Sequence, residues 1–281
     1  MQHSAPGPVR MSIAVRPRSD RFGVDSFYRD FVAGMEDRLG PDGGTALLRI
    51  VEDEQEEIAD YRRWAADGRI DGVVIVDFVE DDPRVPLVEE LGLPAILLGG
   101  GRRLPTIDVD NARAMSDAVA YLVGLGHRRI GRVGGPRHLI HTAARTQAFD
   151  SALAAQGATG VSVEGDYSAE SGRTATLALL ADADRPTAIL YDDATMAVAG
   201  VEAARAEGIR IPGELSLLAW DDSAECQLSD PPLSAMDRDV RSLGSAAAGA
   251  LLEVIEGRTV AVVKARDAIV VERGSTAPPA S

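Results

Sequence analysis

Short apolar runs alternate with amphipathic segments along the whole chain. The first run, MSIAV (11–15), is followed by DSFYRDFVAGMEDRL (25–39), where Phe27, Phe31, Met35 and Leu39 recur every fourth residue and predict one buried helical stripe. The pattern continues with TALLRIV (45–51), the charged helix EQEEIADYRRWAAD (54–67), GVVIVDF (72–78), a helix near 84–91, and AILLGG (95–100). The apolar runs are continuous rather than alternating, as in strands covered on both faces. Strands separated by helical crossovers pair in parallel, so the pattern predicts an α/β fold built on a parallel sheet.

A second series of the same grammar follows the helix NARAMSDAVAYLVGLG (111–126), in which Met115, Ala118, Val119, Leu122 and Leu125 form one face. It runs through RIGRVGG (129–135), a helix near 142–156, VSVEGD (161–166), SAESGRTATLALLAD (168–182), TAILYDD (187–193), ATMAVAGVEAARAEG (194–208) and LSLLAWDD (215–222). Two α/β units in tandem are expected, without a letter-for-letter repeat. The ending RGSTAPPAS is small, polar and Pro-rich, and is expected to fray.

Composition narrows the class. The 281 residues are 45% hydrophobic and 26% charged, with no apolar run of about 18 residues, so a globular chain without a membrane span is expected. MQHSAPGPVR has no signal-peptide core, and the single cysteine, Cys226, offers neither a disulfide nor a zinc cluster. Cytoplasm is the expected location, with no metal and no cofactor. The net charge of −15 repels a DNA duplex, so this chain is not expected to grip DNA itself.

Three apolar runs end in acids or amides: TIDVDN at Asp110 and Asn111, TAILYDD at Asp192 and Asp193, and LSLLAWDD at Asp221 and Asp222. In open α/β sheets ligands bind beyond the carboxyl ends of strands, so polar residues there are placed to meet one. A carboxylate can accept two hydroxyl donors, and an indole face covers the apolar side of a sugar ring. Asp192, Asp221 and Trp220 are therefore expected at a polyol or sugar, with the second acids, Asp193 and Asp222, capping the next segments. Acids at such a site favour a neutral or cationic ligand over a phosphorylated one. Arg145, a planar five-donor group, could bridge ligand hydroxyls or a carboxylate, or serve as a structural ion pair.

Four stretches, LGHRRIGRVGG (125–135), ARTQAF (144–149), PTAILYDDATMAVAG (186–200) and GIRIPGELSLLAWDDSAECQLSDPPLSAMDRDV (208–240), together resemble the regulatory core of LacI/GalR-family transcription regulators. The resemblance extends from about Ser12 to Glu272. It implies the type I periplasmic-binding-protein fold, with two doubly wound parallel-sheet subdomains joined by a three-strand hinge. One subdomain would hold 9–126 plus about 239–262, the other 127–238 plus about 263–273, with 1–8 as linker or tag and 274–281 as a flexible tail. It further implies an effector, a sugar, in the cleft between the subdomains, and a homodimer. Arg145, Asp192, Trp220, Asp221 and Asp110 would contact the effector, with Phe27 as a less certain sixth. Cleft closure would be transmitted to an upstream helix-turn-helix domain that is absent from this chain, which is expected to be a fragment of a longer regulator.

His127 and Arg128 lack phosphate-loop spacing and fit a structural turn, as Gly134 and Gly135 fit a tight strand-to-helix connection. Arg16, Arg18 and Arg21 follow the first strand where the family often has uncharged residues; they are expected to be solvated loop charges, the alternative being selection of an acidic sugar. Two other functions compete with an effector sensor: a solute-binding protein of a sugar transporter, which would carry an export signal, and a glycosidase using Asp192 and Asp221 as a carboxyl pair. No activated nucleophile accompanies those acids, so a non-enzyme is expected.

Overall fold

The computed structural model of the protein describes residues 8–16, 25–101 and 103–280. These fall into two compact units, one comprising the described residues up to Val109 and Val240–Arg266, the other Asp110–Asp239 and the residues from Asp267 onward.

The first unit runs β1 (Arg10–Val15), α1 (Ser26–Leu39), β2 (Thr45–Ile50), α2 (Glu54–Asp67), β3 (Gly72–Ile75), α3 (Arg84–Leu91), β4 (Ala95–Leu98) and β5 (Thr106–Asp108). The chain later returns to it with α9 (Val240–Ile255) and β11 (Val262–Lys264). The six strands pair in parallel in the order β11-β5-β4-β3-β1-β2. Met11, Ile13, Val74 and Ile96 are fully buried, as continuous apolar strands require. α1 and α9 cross at two glycines. A Cβ on Gly34 would sit 1.8 Å from the Arg241 carbonyl oxygen, and one on Gly244 would sit 1.9 Å from that of Phe31. In α1 the buried face is Tyr28, Phe31, Met35 and Leu39, while Phe27 is only half-buried, so the stripe enters one residue later than its spacing suggested.

A buried ion cluster ties α2 to the loop after β3. Arg84 donates from Nε and Nη2 to Asp82 (2.9 and 2.7 Å), from Nη1 to both oxygens of Glu57 (3.0 and 3.1 Å), and from Nη2 to the Val76 carbonyl (3.1 Å). Tyr61 donates its hydroxyl to Glu57 at 2.5 Å, and the exposed Arg16 reaches the same carboxylate at 3.3 Å. Arg18 and Arg21 lie outside the described residues.

The second unit runs α4 (Asn111–Gly124), β6 (Arg129–Gly134), α5 (Ile140–Ala155), β7 (Thr159–Glu164), α6 (Ala169–Leu180), β8 (Ala188–Tyr191), α7 (Ala194–Ala206), β9 (Ser216–Trp220), the short α8 (Ala224–Leu228), β10 (Ser234–Asp237) and, after the return to the first unit, β12 (Ile269–Val271). Its sheet order is β12-β10-β9-β8-β6-β7, parallel except for the antiparallel β10/β12 pair.

Three expectations change here. The boundary falls at Val109/Asp110, not at 126/127, because Ala114, Met115, Ala118, Val119 and Leu122 of α4 pack with Ile130, Phe149 and Trp220 in the second core. The strip 263–266 likewise belongs to the first unit, held by β11 on β5. The ending is not frayed over 274–280. Ser275 is fully buried, its carbonyl accepts from Leu217 N (2.8 Å) and its hydroxyl donates to Leu217 O (2.6 Å), while Thr276 Oγ1 meets Ser234 Oγ at 2.8 Å. Small polar residues are what a strand-side groove of backbone groups can pair. Among the described residues no helix is long and apolar enough to cross a membrane.

Candidate functional site

β6, β8, β9 and β10 are adjacent parallel strands, so their carboxyl ends share one edge of the second sheet. The register aligns Val133 with Tyr191, and Met236 with Trp220. The residues just past or near these ends converge: Asp192 after β8, Trp220 and Asp221 at the end of β9, Arg238 after β10, with Arg132 from β6, Arg145 from α5 and Asn111 from the start of α4.

Arg132 and Asp192 form a fully buried pair, Nε to Oδ1 at 2.9 Å and Nη2 to Oδ2 at 2.5 Å, with Arg132 Nη1 donating to Thr146 Oγ1 at 2.8 Å. Arg238 grips Asp221 in the same two-pronged way, at 2.6 and 2.7 Å. Such parallel guanidinium–carboxylate bonds fix orientation as well as charge. Arg145 differs. Its Nε donates to Asn111 Oδ1 (2.8 Å) and its Nη1 to the Asp192 backbone carbonyl (3.0 Å), but the Asp192 carboxylate is 3.8 Å away. Burial pushes its guanidinium below the ordinary value; Asp192 opposes the shift and Arg238 adds to it.

Trp220 forms the floor of this cluster. It is fully buried, the Arg145 guanidinium lies 4.2 Å from its ring centroid and that of Arg238 5.8 Å. Its indole Nε1 has no hydrogen-bond partner among the described residues. Asp221 holds φ +71°, a left-handed backbone that a non-glycine residue adopts at a cost of about 1–3 kcal/mol. Tyr167, at φ +69°, sets its hydroxyl 2.7 Å from His141 Nε2 and 2.9 Å from Thr142 Oγ1. Gly135 makes room for that hydroxyl: a Cβ there would lie 2.1 Å from it.

Four residues singled out in the sequence, Arg145, Asp192, Trp220 and Asp221, thus come together. Asp110 is exposed and accepts from Arg113 N at 2.9 Å as the cap of α4; its neighbour Asn111 reaches Arg145 instead. Phe27 belongs to the first unit, edge-on to Tyr28 with centroids 5.2 Å apart. The Trp220 face expected to cover a sugar lies under Arg145, and both Asp192 oxygens already accept from Arg132. Asp193 caps α7 through Met196 N (2.9 Å), whereas Asp222 accepts from Arg273 (2.6 Å) and Ser223 caps α8. His127 is buried in its turn: Nε2 lies 3.1 Å from the Ala277 carbonyl and must donate to it, so Nδ1 accepts from Thr187 Oγ1 at 2.8 Å. Arg132 and Arg238 were missed, although an arginine inside the apolar run RIGRVGG was itself a signal that a buried acid awaited it.

Residues 119–276 match the family model described as a periplasmic binding protein-like domain. A crystal structure of a LacI family transcriptional regulator from Bifidobacterium animalis subsp. lactis superposes with a TM-score of 0.87 at 31% identity, over 96% of this chain and 98% of that one. The chain belongs to the LacI family. Another neighbour is the transcriptional regulator CelR in complex with cellobiose, with a TM-score of 0.85 and 25% identity over 95% of this chain and 86% of that one. The HTH-type transcriptional regulator AglR of Rhizobium meliloti is 33% identical over 71% of this chain, which spans 58% of AglR's length. The periplasmic binding protein-like match includes every residue of the Trp220 cluster except Asn111.

Proposed function

We propose that this LacI-family chain is an effector-sensing core, which binds a small hydroxyl-rich ligand, a sugar, at the strand tips of the second unit. The observation that carries the reading is Arg145: a guanidinium only 4% exposed, stacked on Trp220, that uses two of its five N–H donors among the described residues. Holding a cation out of water with donors unspent is costly, and a ligand oxygen relieves that cost. The cellobiose bound to CelR supports a sugar as the class of ligand. Arg145 meets the ligand directly, while Asp192 and Asp221, each gripped by its own arginine, position Arg145 and the Trp220 ring. Regulation follows if the ligand binds one arrangement of the chain better than another, since only that difference shifts a population.

DNA contact belongs, on this reading, to a helix-turn-helix domain of the kind named in AglR, because the net charge of −15 disfavours contact by this chain. Homodimerisation is supported by apolar side chains left exposed, Leu47 and Ile50 on the edge strand β2 and Leu228 on α8. A thermal-shift screen of sugars, sugar acids, polyols, amino sugars and nucleosides tests the reading: at least one class raises the melting point, and silence across all of them refutes it.

A further inference from the structure

Arg132 is a buried arginine on a strand whose neighbouring positions, Ile130, Gly131 and Val133, are apolar and buried too. The fold alone does not call for it, because well-packed apolar residues often replace a buried ion pair without loss of stability. Yet the sheet is built around it. A Cβ on Gly134 would lie 3.3 Å from its guanidinium carbon, the Phe149 ring centroid is 5.9 Å from that carbon, and Thr146 takes the donor that Asp192 leaves over. Both oxygens of Asp192 accept from Arg132. A second guanidinium stands within reach of the same carboxylate: Arg145 Nη1 stops 3.8 Å from Oδ2 and donates instead to the Asp192 backbone carbonyl. Which of the two arginines holds this carboxylate therefore decides where Arg145 points.

We propose that Arg132 is a positioning residue: by holding the Asp192 carboxylate it keeps Arg145 on Asn111 and the Trp220 ring, and it does so without touching the ligand. The effect on binding rests on the ligand-binding reading above; the hold of Arg132 on Arg145 does not. Arg132 cancels the charge of Asp192, and its two-pronged bond fixes the plane of the carboxylate. Arg145 then gains little by leaving Asn111 and Trp220. Without Arg132 the buried carboxylate is bare, which is costly, and Arg145 answers it by moving about 1 Å closer, to an ordinary charge-assisted hydrogen bond. That move takes it off the indole. A ligand that needs the guanidinium where it now stands binds in proportion to the time it spends there, so capture for about nine-tenths of the time weakens binding about tenfold.

The test reads the position of Arg145 and the affinity separately, on the whole chain. In the ligand-free crystal structure of Arg132→Met, Arg145 lies within hydrogen-bonding distance of an Asp192 carboxylate oxygen. In Arg132→Met with Asp192→Asn, where no charge is left to capture it, Arg145 is back on Asn111 and Trp220. Arg132→Gln keeps a donor for Asp192 but not the charge; it shows the same displacement, and it decides the matter if the methionine variant does not fold. Calorimetric titration with cellobiose, the sugar bound to CelR, follows. Arg132→Met weakens binding about tenfold or more when Asp192 is present, and less than about threefold in the Asp192→Asn background. An Arg145 that stays 3.8 Å from Asp192 in the single variants overturns the proposal and leaves Arg132 a structural residue. Equal losses of affinity in the two backgrounds also overturn it. If wild type does not bind cellobiose, the ligand-free structures decide alone; if it binds nothing in the thermal-shift screen, the sensing reading falls wherever Arg145 is found.

Discussion

Arg84 in the first unit and Arg145 in the second are both buried guanidiniums beside acids, yet their surroundings treat them oppositely. Burial alone lowers the pKa of each. At Arg84 the hydrogen bonds of Asp82 and the charge of Glu57 outweigh it, and the guanidinium is held above its ordinary value. At Arg145 burial prevails, and the guanidinium is held below. The geometry explains the contrast, since Arg84 has both carboxylates within hydrogen-bonding distance whereas Arg145 has an amide and a backbone carbonyl. A cation that is fully answered inside the protein belongs to the scaffold. One that is desolvated but incompletely answered marks where something else is meant to bind.

The sharpest way to break this contrast is at Arg84. Arg84→Met leaves Glu57 and Asp82 buried without their counter-charge and costs about 3–5 kcal/mol in urea denaturation. A loss below 1 kcal/mol would show the cluster is not structural. Arg132→Met is next. It strands Asp192, but Arg145 stands 3.8 Å from that carboxylate and can move in, so a smaller loss of about 2–3 kcal/mol is expected. The double variant Arg132→Met with Asp192→Asn should recover most of that loss, and a double variant as unstable as the single one would deny the coupling.

The smallest effect lies outside both clusters. Burial holds His127 below its ordinary pKa, so the unfolded chain takes up a proton that the folded chain resists. Stability from this group is present above about pH 6.5 and is lost as pH falls below it. His127→Gln should flatten the wild-type decline between neutral and mildly acid pH, and unchanged pH curves would contradict the assignment.

Much of the fold was legible before any coordinates. The helix 54–67 and the stretch 84–91 coincide with α2 and α3, because charged faces and apolar spacing are local signals. The convergence of Asp192, Trp220 and Asp221 was legible because apolar strands of one parallel sheet that end in polar residues bring those residues to a shared edge. What remained hidden depends on partners distant in sequence. Arg132 and Asp192 are 60 residues apart, and Arg238 meets Asp221 across neighbouring strands, so no local period reveals either pair. The capping role of Asp110 was hidden by one residue: two adjacent polar side chains competed for the tip of β5, and the helix start took the first while the site took the second. The boundary at Val109 escaped because α4 shows one apolar face whichever core it joins.

The central claim, that Arg145 is held at the strand tips for a ligand rather than for the fold, is tested most directly by the ligand-free stability of Arg145→Met beside that of wild type. Removing an unanswered buried charge while keeping an apolar chain against Trp220 should leave the urea midpoint unchanged or raise it. A fall as large as that of Arg84→Met would mean that Arg145 is an ordinary structural ion pair, and the account would be wrong.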